Sequence, residues 1–158
     1  SGQVLVGYRR LNILAAKAPD FNGLAASGTL SMVIARNNRL TLLEQRDVNF
    51  SYDESFPFYV LTSTTLQLQH RIGPTWDLVG RAALHNLHYN ALDQAAERNG
   101  QMPSDRLVQA GAGFGYLVGR QLRIGLDANY YKRTAESGVS VAFNGFRAGL
   151  SLTYGLPK

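Results

Sequence analysis

Apolar and polar residues alternate along most of the chain, most regularly near its C-terminal end. From Phe146 to Tyr154 the even-numbered positions carry Phe, Ala, Leu, Leu and Tyr, whereas the odd-numbered positions carry Arg, Gly, Ser and Thr. A strict period of two is typical of a β-strand with one apolar and one polar face. The pattern therefore predicts a strand over 146–154.

The same alternation recurs upstream. It is regular over 122–131, 108–116, 76–85 and 60–71, and less regular over 2–14, 22–35 and 39–52. Turn-forming residues predict tight turns at Asn37-Asn38, Gly73-Pro74 and Gly119-Arg120. Longer polar connections cover 15–21, 53–56, 91–105 and 134–141. The chain is thus predicted to form eight strands in one domain over residues 1–158.

This arrangement of strands and connections is typical of a bacterial outer-membrane barrel. Such barrels have an even number of antiparallel strands, with short turns at one end and longer loops at the other. No segment approaches the roughly 20 consecutive apolar residues of a membrane helix, which excludes a helical membrane protein. The prediction is an all-β, antiparallel, up-and-down transmembrane β-barrel with both chain ends at the short-turn end.

Aromatic residues are expected to mark the two membrane interfaces, because interfaces select Trp and Tyr. The simpler interpretation is that aromatic residues favour strands in general. The girdle predicted at the loop end comprises Tyr52, Phe58, Tyr89, Tyr130 and Phe146. The girdle predicted at the short-turn end comprises Trp76, Tyr116 and Tyr154.

Composition narrows the classes of function. Hydrophobic residues make up 45% of the chain, yet its mean hydropathy is −0.15, so apolar residues are interleaved with polar ones. The net charge of +5 comes from 16 dispersed basic residues against 11 acidic ones, unlike the clustered charge of a nucleic-acid-binding surface. The absence of cysteine excludes disulfides, thiolate metal sites and a cysteine nucleophile.

Charged residues on the polar face are the main candidates for function. In a closed eight-stranded barrel the arginines and aspartates would form ion pairs that fill the interior as a plug, because such an interior is only wide enough for side chains. In a wider barrel they would line water and, through the excess of Arg, favour anions. The predicted lumen-lining residues are Arg71, Asp77, Arg81, His85, Gln109, Arg123, Asp127 and Arg147, accompanied by Gln67, Gln69 and Arg133.

Two segments break the pattern. The alternation over 39–52 places Glu44 and Arg46 on the apolar face, and Arg9-Arg10 interrupts the first strand. An Arg at the bilayer midplane costs about 2–4 kcal/mol. Either a β-bulge shifts the register, or these strands face protein.

No motif indicates catalysis. His85 and His88 are three residues apart in a strand and so point to opposite faces, which argues against a shared metal. The glycines of GAGFGYLVG lie within an alternating strand, whereas a dinucleotide loop needs a strand, a turn and a helix. We therefore expect a non-enzymatic protein without a cofactor or a bound metal.

Long segments of the chain resemble outer-membrane β-barrel porins of Gram-negative bacteria. These include RDVNFSYDESFPFYVLTSTTLQL, GAGFGYLVGRQLRIGLDANYYKRT and FNGFRAGLSLTYG. The resemblance covers nearly the whole chain and implies a barrel in the outer membrane, in contact with the lipid bilayer and lipopolysaccharide. The segment VGYRRL resembles an internal strand of such proteins. The chain is therefore either a whole eight-stranded barrel or the C-terminal half of a larger one.

The last predicted strand resembles the signal that the barrel-assembly machinery reads. A polar residue, a glycine and two apolar residues occur at the expected spacing, as Arg147, Gly149, Leu152 and Tyr154. The sequence departs from the signal because GLPK follows, where bacterial signals end on an aromatic residue. The resemblance implies this machinery as a partner.

Three functions remain open from the sequence. The leading one is a porin-like barrel that passes small solutes passively or simply occupies the outer membrane. The second is a closed structural barrel whose loops or lipid-facing surface mediate assembly with partners, as a homo-oligomer or a larger complex. The third is a soluble, lipocalin-like ligand-binding barrel, which requires the apolar face to point inward.

Overall fold

The computed structural model is an eight-stranded antiparallel sheet in which each strand pairs with the next in sequence. It describes residues 1–12, 20–51, 56–90, 104–119, 121–135 and 141–155. Among these residues no helix is long and apolar enough to cross a membrane. The strands are β1 (Gly2–Leu11), β2 (Phe21–Ile34), β3 (Asn38–Phe50), β4 (Phe58–Ile72), β5 (Trp76–Asn90), β6 (Ser104–Val118), β7 (Leu122–Ala135) and β8 (Phe143–Tyr154).

The predicted number and order of strands are confirmed, but several strands are longer than predicted at the loop end. β5 continues to Asn90 and β6 begins at Ser104, although the alternation is regular only over 76–85 and 108–116. The extra residues stay paired across the two strands, down to His88 opposite Ser104. Backbone hydrogen bonds do not depend on side-chain polarity, so pairing continues after the alternation ends.

The first tight turn lies earlier than predicted. Asn38 already belongs to β3, and the turn covers residues 35–37. Ala35 and Arg36 have positive φ angles of 50° and 58°. The second and third turns place Gly73 and Gly119 in the same region, at 64° and 65°. Glycine adopts this conformation freely, whereas a residue with a Cβ is strained in it.

The strain at Ala35 gives a stability prediction. We expect Ala35→Gly to raise the free energy of unfolding by about 1 kcal/mol, because glycine removes the left-handed penalty. The matched control is Ala112→Gly within β6, where the same change is expected to cost about 0.5–1 kcal/mol. Urea unfolding of the protein folded into lipid vesicles measures both. A loss of stability for both variants would contradict the strained turn.

The pairing of the strands assigns every strand residue to one of two faces. Paired residues share a face, and each pair of neighbouring strands keeps one continuous register in which odd-numbered residues oppose odd-numbered ones. The sheet therefore has an odd face and an even face, formed by the odd-numbered and the even-numbered strand residues. Since no bulge interrupts β3, Glu44 and Arg46 lie on the even face by register.

The two faces differ in polarity and in exposure. The odd face carries buried residues in its central strands, including Asp77, Val79, Ala83 and Arg123. The even face presents large apolar side chains that are exposed, including Leu66, Leu78, Leu126 and Leu150. Polar residues thus occupy the more enclosed face. Within the part of the chain that the structure describes, β1 and β8 each have one neighbouring strand.

Candidate functional site

The predicted lumen-lining residues all lie on the odd face, distributed over β4 to β8. The most enclosed contact among them joins Asp77 of β5 to Arg123 of β7. The Arg123 guanidinium donates from Nη2 to Asp77 Oδ1 at 2.6 Å and from Nε to Oδ2 at 2.8 Å. Gln69 Nε2 donates to the same Oδ2 at 3.1 Å. The side chains of Asp77 and Arg123 are 0% and 8% exposed, so each buried charge is compensated by the other within the sheet.

A second ion pair connects the same two strands. Arg81 Nη1 of β5 lies 2.8 Å from Asp127 Oδ1 of β7. Gln67 accepts from Arg81 Nε at 3.1 Å, and Ser151 of β8 donates to Asp127 Oδ2 at 2.7 Å. This network joins side chains of β4, β5, β7 and β8, in addition to the backbone pairing of the sheet. His85 is half-buried on the odd face, opposite to His88.

Glycines in β6 provide the space for these pairs. Both ion pairs join β5 to β7 and so pass over β6, whose odd-face positions Gly111, Gly113 and Gly115 carry no side chain. A Cβ at Gly115 would overlap the Arg123 guanidinium, and one at Gly113 would overlap the Asp127 carboxylate. The alternating glycines therefore leave the space in which charged side chains from both flanking strands form their ion pairs.

A third cluster lies near the loop end, and the alternation had placed only its Arg133 among the lining residues. Arg133 forms an ion pair with Asp105, and Tyr89 Oη donates to Asp105 Oδ2 at 3.2 Å. Arg133 Nη2 also donates to Tyr89 Oη at 2.7 Å. Tyr89 is odd-numbered like Asp77, and this shared parity was the signal that it belongs on the polar face.

A fourth pair lies on β1 and β3, where Arg9 Nη1 is 2.6 Å from Asp47 Oδ1. The Arg9-Arg10 interruption is thereby explained. Arg9 points to the polar odd face, whereas Arg10 lies on the even face at the loop end of β1 and donates to Asn12 at 3.1 Å. None of the four pairs among the described residues joins strands more than two apart.

The family comparison agrees with this sheet. The family model described as "Putative beta-barrel porin 2" matches residues 1–154, which is nearly the whole chain. The chain belongs to this porin family. No curated protein and no solved structure matched the chain.

The charge of this porin-family sheet is unequally distributed over its odd face. Each of the four odd-face aspartates, Asp47, Asp77, Asp105 and Asp127, is paired with an arginine. The described strands carry three further odd-face arginines, Arg39, Arg71 and Arg147, which are exposed and form no ion pair with the described residues. Arg123, one of the predicted lining residues, is neutralised by Asp77.

Two of these exposed arginines lie together at the tight-turn end. Arg39 and Arg71 line a concavity of about 230 Å³ with Arg36 of the first turn. Arg147 lies on β8, beside a second concavity of about 340 Å³ that Arg81 and Asn129 also line. Gln109, a predicted lining residue, donates to Asn129 Oδ1 at 3.2 Å. Asp77 also lines the first concavity and lies opposite Arg71 in the pairing of β4 with β5. The excess of arginine over aspartate is thus found at the tight-turn end and along the β8 side of the odd face.

The predicted aromatic girdle is placed only in part on the even face. Trp76 and Tyr116 pack together with ring centroids 4.5 Å apart, and Tyr154, Tyr130 and Phe146 are exposed on the same face. Two members of the predicted girdle are not exposed on the even face. Tyr89 lies on the odd face in the cluster with Asp105, and Phe58 is 2% exposed, with its ring edge-on to Phe21. Tyr52 lies outside the described residues.

The predicted assembly signal lies within β8. Arg147 and Gly149 occupy the odd face, and Leu152 and Tyr154 occupy the exposed even face. Among the described strands β8 has β7 as its only neighbour, so its other backbone edge pairs with none of them. Recognition of this strand by the barrel-assembly machinery stays a prediction.

Proposed function

We propose that this protein is a non-enzymatic pore of the bacterial outer membrane that passes small solutes passively and favours anions. The observation that carries the proposal is the excess of exposed arginine on the odd face, where every aspartate already has an arginine partner. Three positive charges remain to attract anions, on Arg39, Arg71 and Arg147.

The sidedness of the sheet supports a place in the membrane. Apolar side chains are exposed on the even face, and charged ones lie on the more enclosed odd face. A soluble ligand-binding barrel requires the opposite arrangement, because its apolar face must be removed from water. Aromatic residues at both ends of the even face fit the two lipid interfaces.

The ion pairs support an open interior over a plug. The four ion pairs found among the described residues lie along the wall, between strands that are adjacent or separated by one strand. A plug would need contacts across the barrel. In lipid the unpaired edges of β1 and β8 must also find partners. We infer that further strands pair with these edges, giving a barrel of more than eight strands and hence a lumen.

Planar-bilayer recordings of the full-length protein test this function. We expect discrete conductance steps and, under a salt gradient, a reversal potential that indicates preference for chloride over potassium. Replacing Arg39, Arg71 and Arg147 together with Glu is expected to reverse this preference, because it reverses the sign of the uncompensated charge.

The matched control for the selectivity experiment is Arg106→Glu, which changes an exposed charge on the even face and should leave the reversal potential unchanged. Folding of each variant is checked by its shifted migration on gels without boiling. Folded protein that produces no conductance steps would overturn the proposed passage of solutes. A reversal potential that is unchanged by the triple substitution would overturn the role of the three arginines.

A further inference from the structure

The concavity at the tight-turn end is lined by three arginines that form no ion pair with the described residues. Arg39 of β3 is opposite Gln69 of β4, and Arg71 follows Gln69 by two positions on the same face. Diagonal neighbours of this kind lie about 7–8 Å apart, within reach of long side chains. The Arg71 amide donates to the Asn37 carbonyl at 2.8 Å, which fixes the first turn, and with it Arg36, beside Arg71.

Asp77 is the acidic residue among those that line this concavity, and its charge is already compensated. The residue is 0% exposed, and its two carboxylate oxygens accept from Arg123. Gln69 donates to the same carboxylate. Three guanidinium groups therefore border the concavity with one carboxylate, which has an arginine partner of its own. The concavity keeps an excess of positive charge and of unused N–H donors.

The backbone conformation of Arg36 is a second sign that this end of the sheet binds a ligand. Arg36 has a φ of 58°, whereas Gly73 and Gly119 occupy the same region in the other two tight turns. A side chain is disfavoured in this conformation, and such strain is concentrated at ligand-binding sites. Arg36 nevertheless adds a third guanidinium to those of Arg39 and Arg71. We name these three residues the tight-turn arginine cluster.

The chemistry of the tight-turn arginine cluster matches a phosphoryl group better than a simple carboxylate. A guanidinium presents a planar fork of N–H donors that fits the oxygens of a carboxylate or a phosphate. One such fork is sufficient for the two oxygens and single charge of a carboxylate. A phosphate monoester carries nearly two negative charges at neutral pH and three acceptor oxygens, so it can engage several forks at once.

We propose that the tight-turn arginine cluster binds the phosphoryl group of a small phosphorylated solute. The concavity of about 230 Å³ is large enough for such a group, since one water occupies about 30 Å³ in the liquid. A lipid headgroup could supply the same chemistry. The cluster, however, belongs to the more enclosed odd side of the sheet, whereas the exposed apolar side chains that suit lipid lie on the even face. This geometry favours a water-soluble solute.

This inference deepens the proposed anion-favouring pore and rests on it for the route of the solute, but binding is measured without a pore. The experiment is a calorimetric titration of the full-length protein in detergent with inorganic phosphate at about pH 8, at low salt. Acetate serves as the matched anion with a single charge. We expect phosphate to bind at least tenfold more tightly than acetate. Arg39→Gln and Arg71→Gln should each weaken phosphate binding at least tenfold, because each removes one fork and one charge.

Arg147→Gln and Arg106→Gln are the matched controls, since each removes an exposed arginine outside this concavity and should leave the phosphate affinity within twofold. The shifted migration of each variant on gels without boiling verifies its folding.

Four results would overturn the proposal. They are a folded wild type that does not bind phosphate, equal affinities for phosphate and acetate, unchanged affinity in the Arg39 and Arg71 variants, and binding of short-chain phosphatidic acid without binding of inorganic phosphate. The last result would assign the cluster to a lipid headgroup. Conductance without phosphate binding would overturn the cluster and leave passage standing, whereas phosphate binding by a protein that produces no conductance steps would do the reverse.

Discussion

Replacing Asp77 with alanine is expected to lower the free energy of unfolding by about 3–5 kcal/mol, because it leaves the Arg123 guanidinium enclosed without a carboxylate. Arg123 is 8% exposed and directs two nitrogens at Asp77, so water does not readily replace the lost partner. Urea unfolding in lipid vesicles, followed by tryptophan fluorescence of Trp76, measures the change. The effect is large because the cost is that of an uncompensated buried charge.

The control for Asp77→Ala is Asp47→Ala, which breaks the Arg9–Asp47 pair. Those side chains are 41% and 31% exposed, and the loss is expected to stay below about 1 kcal/mol because water solvates the freed arginine. Adding Arg123→Ala to Asp77→Ala should recover part of the loss, since no charge is then left unpaired. Equal losses for Asp77 and Asp47 would show that enclosure of the pair does not determine its contribution.

Replacing Gly115 with alanine is expected to cost about 1–3 kcal/mol, because the added Cβ overlaps the Arg123 guanidinium and displaces it from Asp77. The matched control is Gly80→Ala in β5, on the even face, where a Cβ meets no atom within 4 Å. That change is expected to stabilise the strand by about 0.5–1 kcal/mol, since alanine has less conformational freedom to lose. The same unfolding experiment compares the two variants.

The cause of the Gly115 effect can be separated from a general intolerance of β6 to side chains. In the background Asp77→Ala with Arg123→Ala, Gly115→Ala should cost little, because the guanidinium that it displaces is gone. A loss of the same size in both backgrounds would contradict the interpretation that the β6 glycines leave space for the ion pairs.

Much of the fold was predictable because alternation is a local property. A strand with one polar face needs a period of two wherever it lies, so the strands and the polar character of Arg71, Asp77 and Arg123 could be recognised without knowing their neighbours. The exact ends were less accessible. Ala35 and Arg36 carry no turn signal, and their positive φ angles follow from the closure of the hairpin.

The candidate site was predictable as a set of residues and not as a set of contacts. Tyr89 illustrates the limit, since aromatic character suggested a lipid interface, whereas its odd position places it beside Asp105 and Arg133. Gln109 and Asn129 likewise meet only because β6 and β7 pair in one register. Parity along the chain identifies the face of a residue but not its partner on that face.

By itself, the sequence determined the eight strands, their order and the division into a polar and an apolar face, because each depends on residues close together in the chain. Only the tertiary structure decided which charges meet. Asp77 and Arg123 are 46 positions apart and lie on strands separated by β6. Their contact requires the register of three strands and the missing side chain at Gly115 at once. The same register placed Glu44 and Arg46 on the apolar face, where alternation alone left a bulge equally possible.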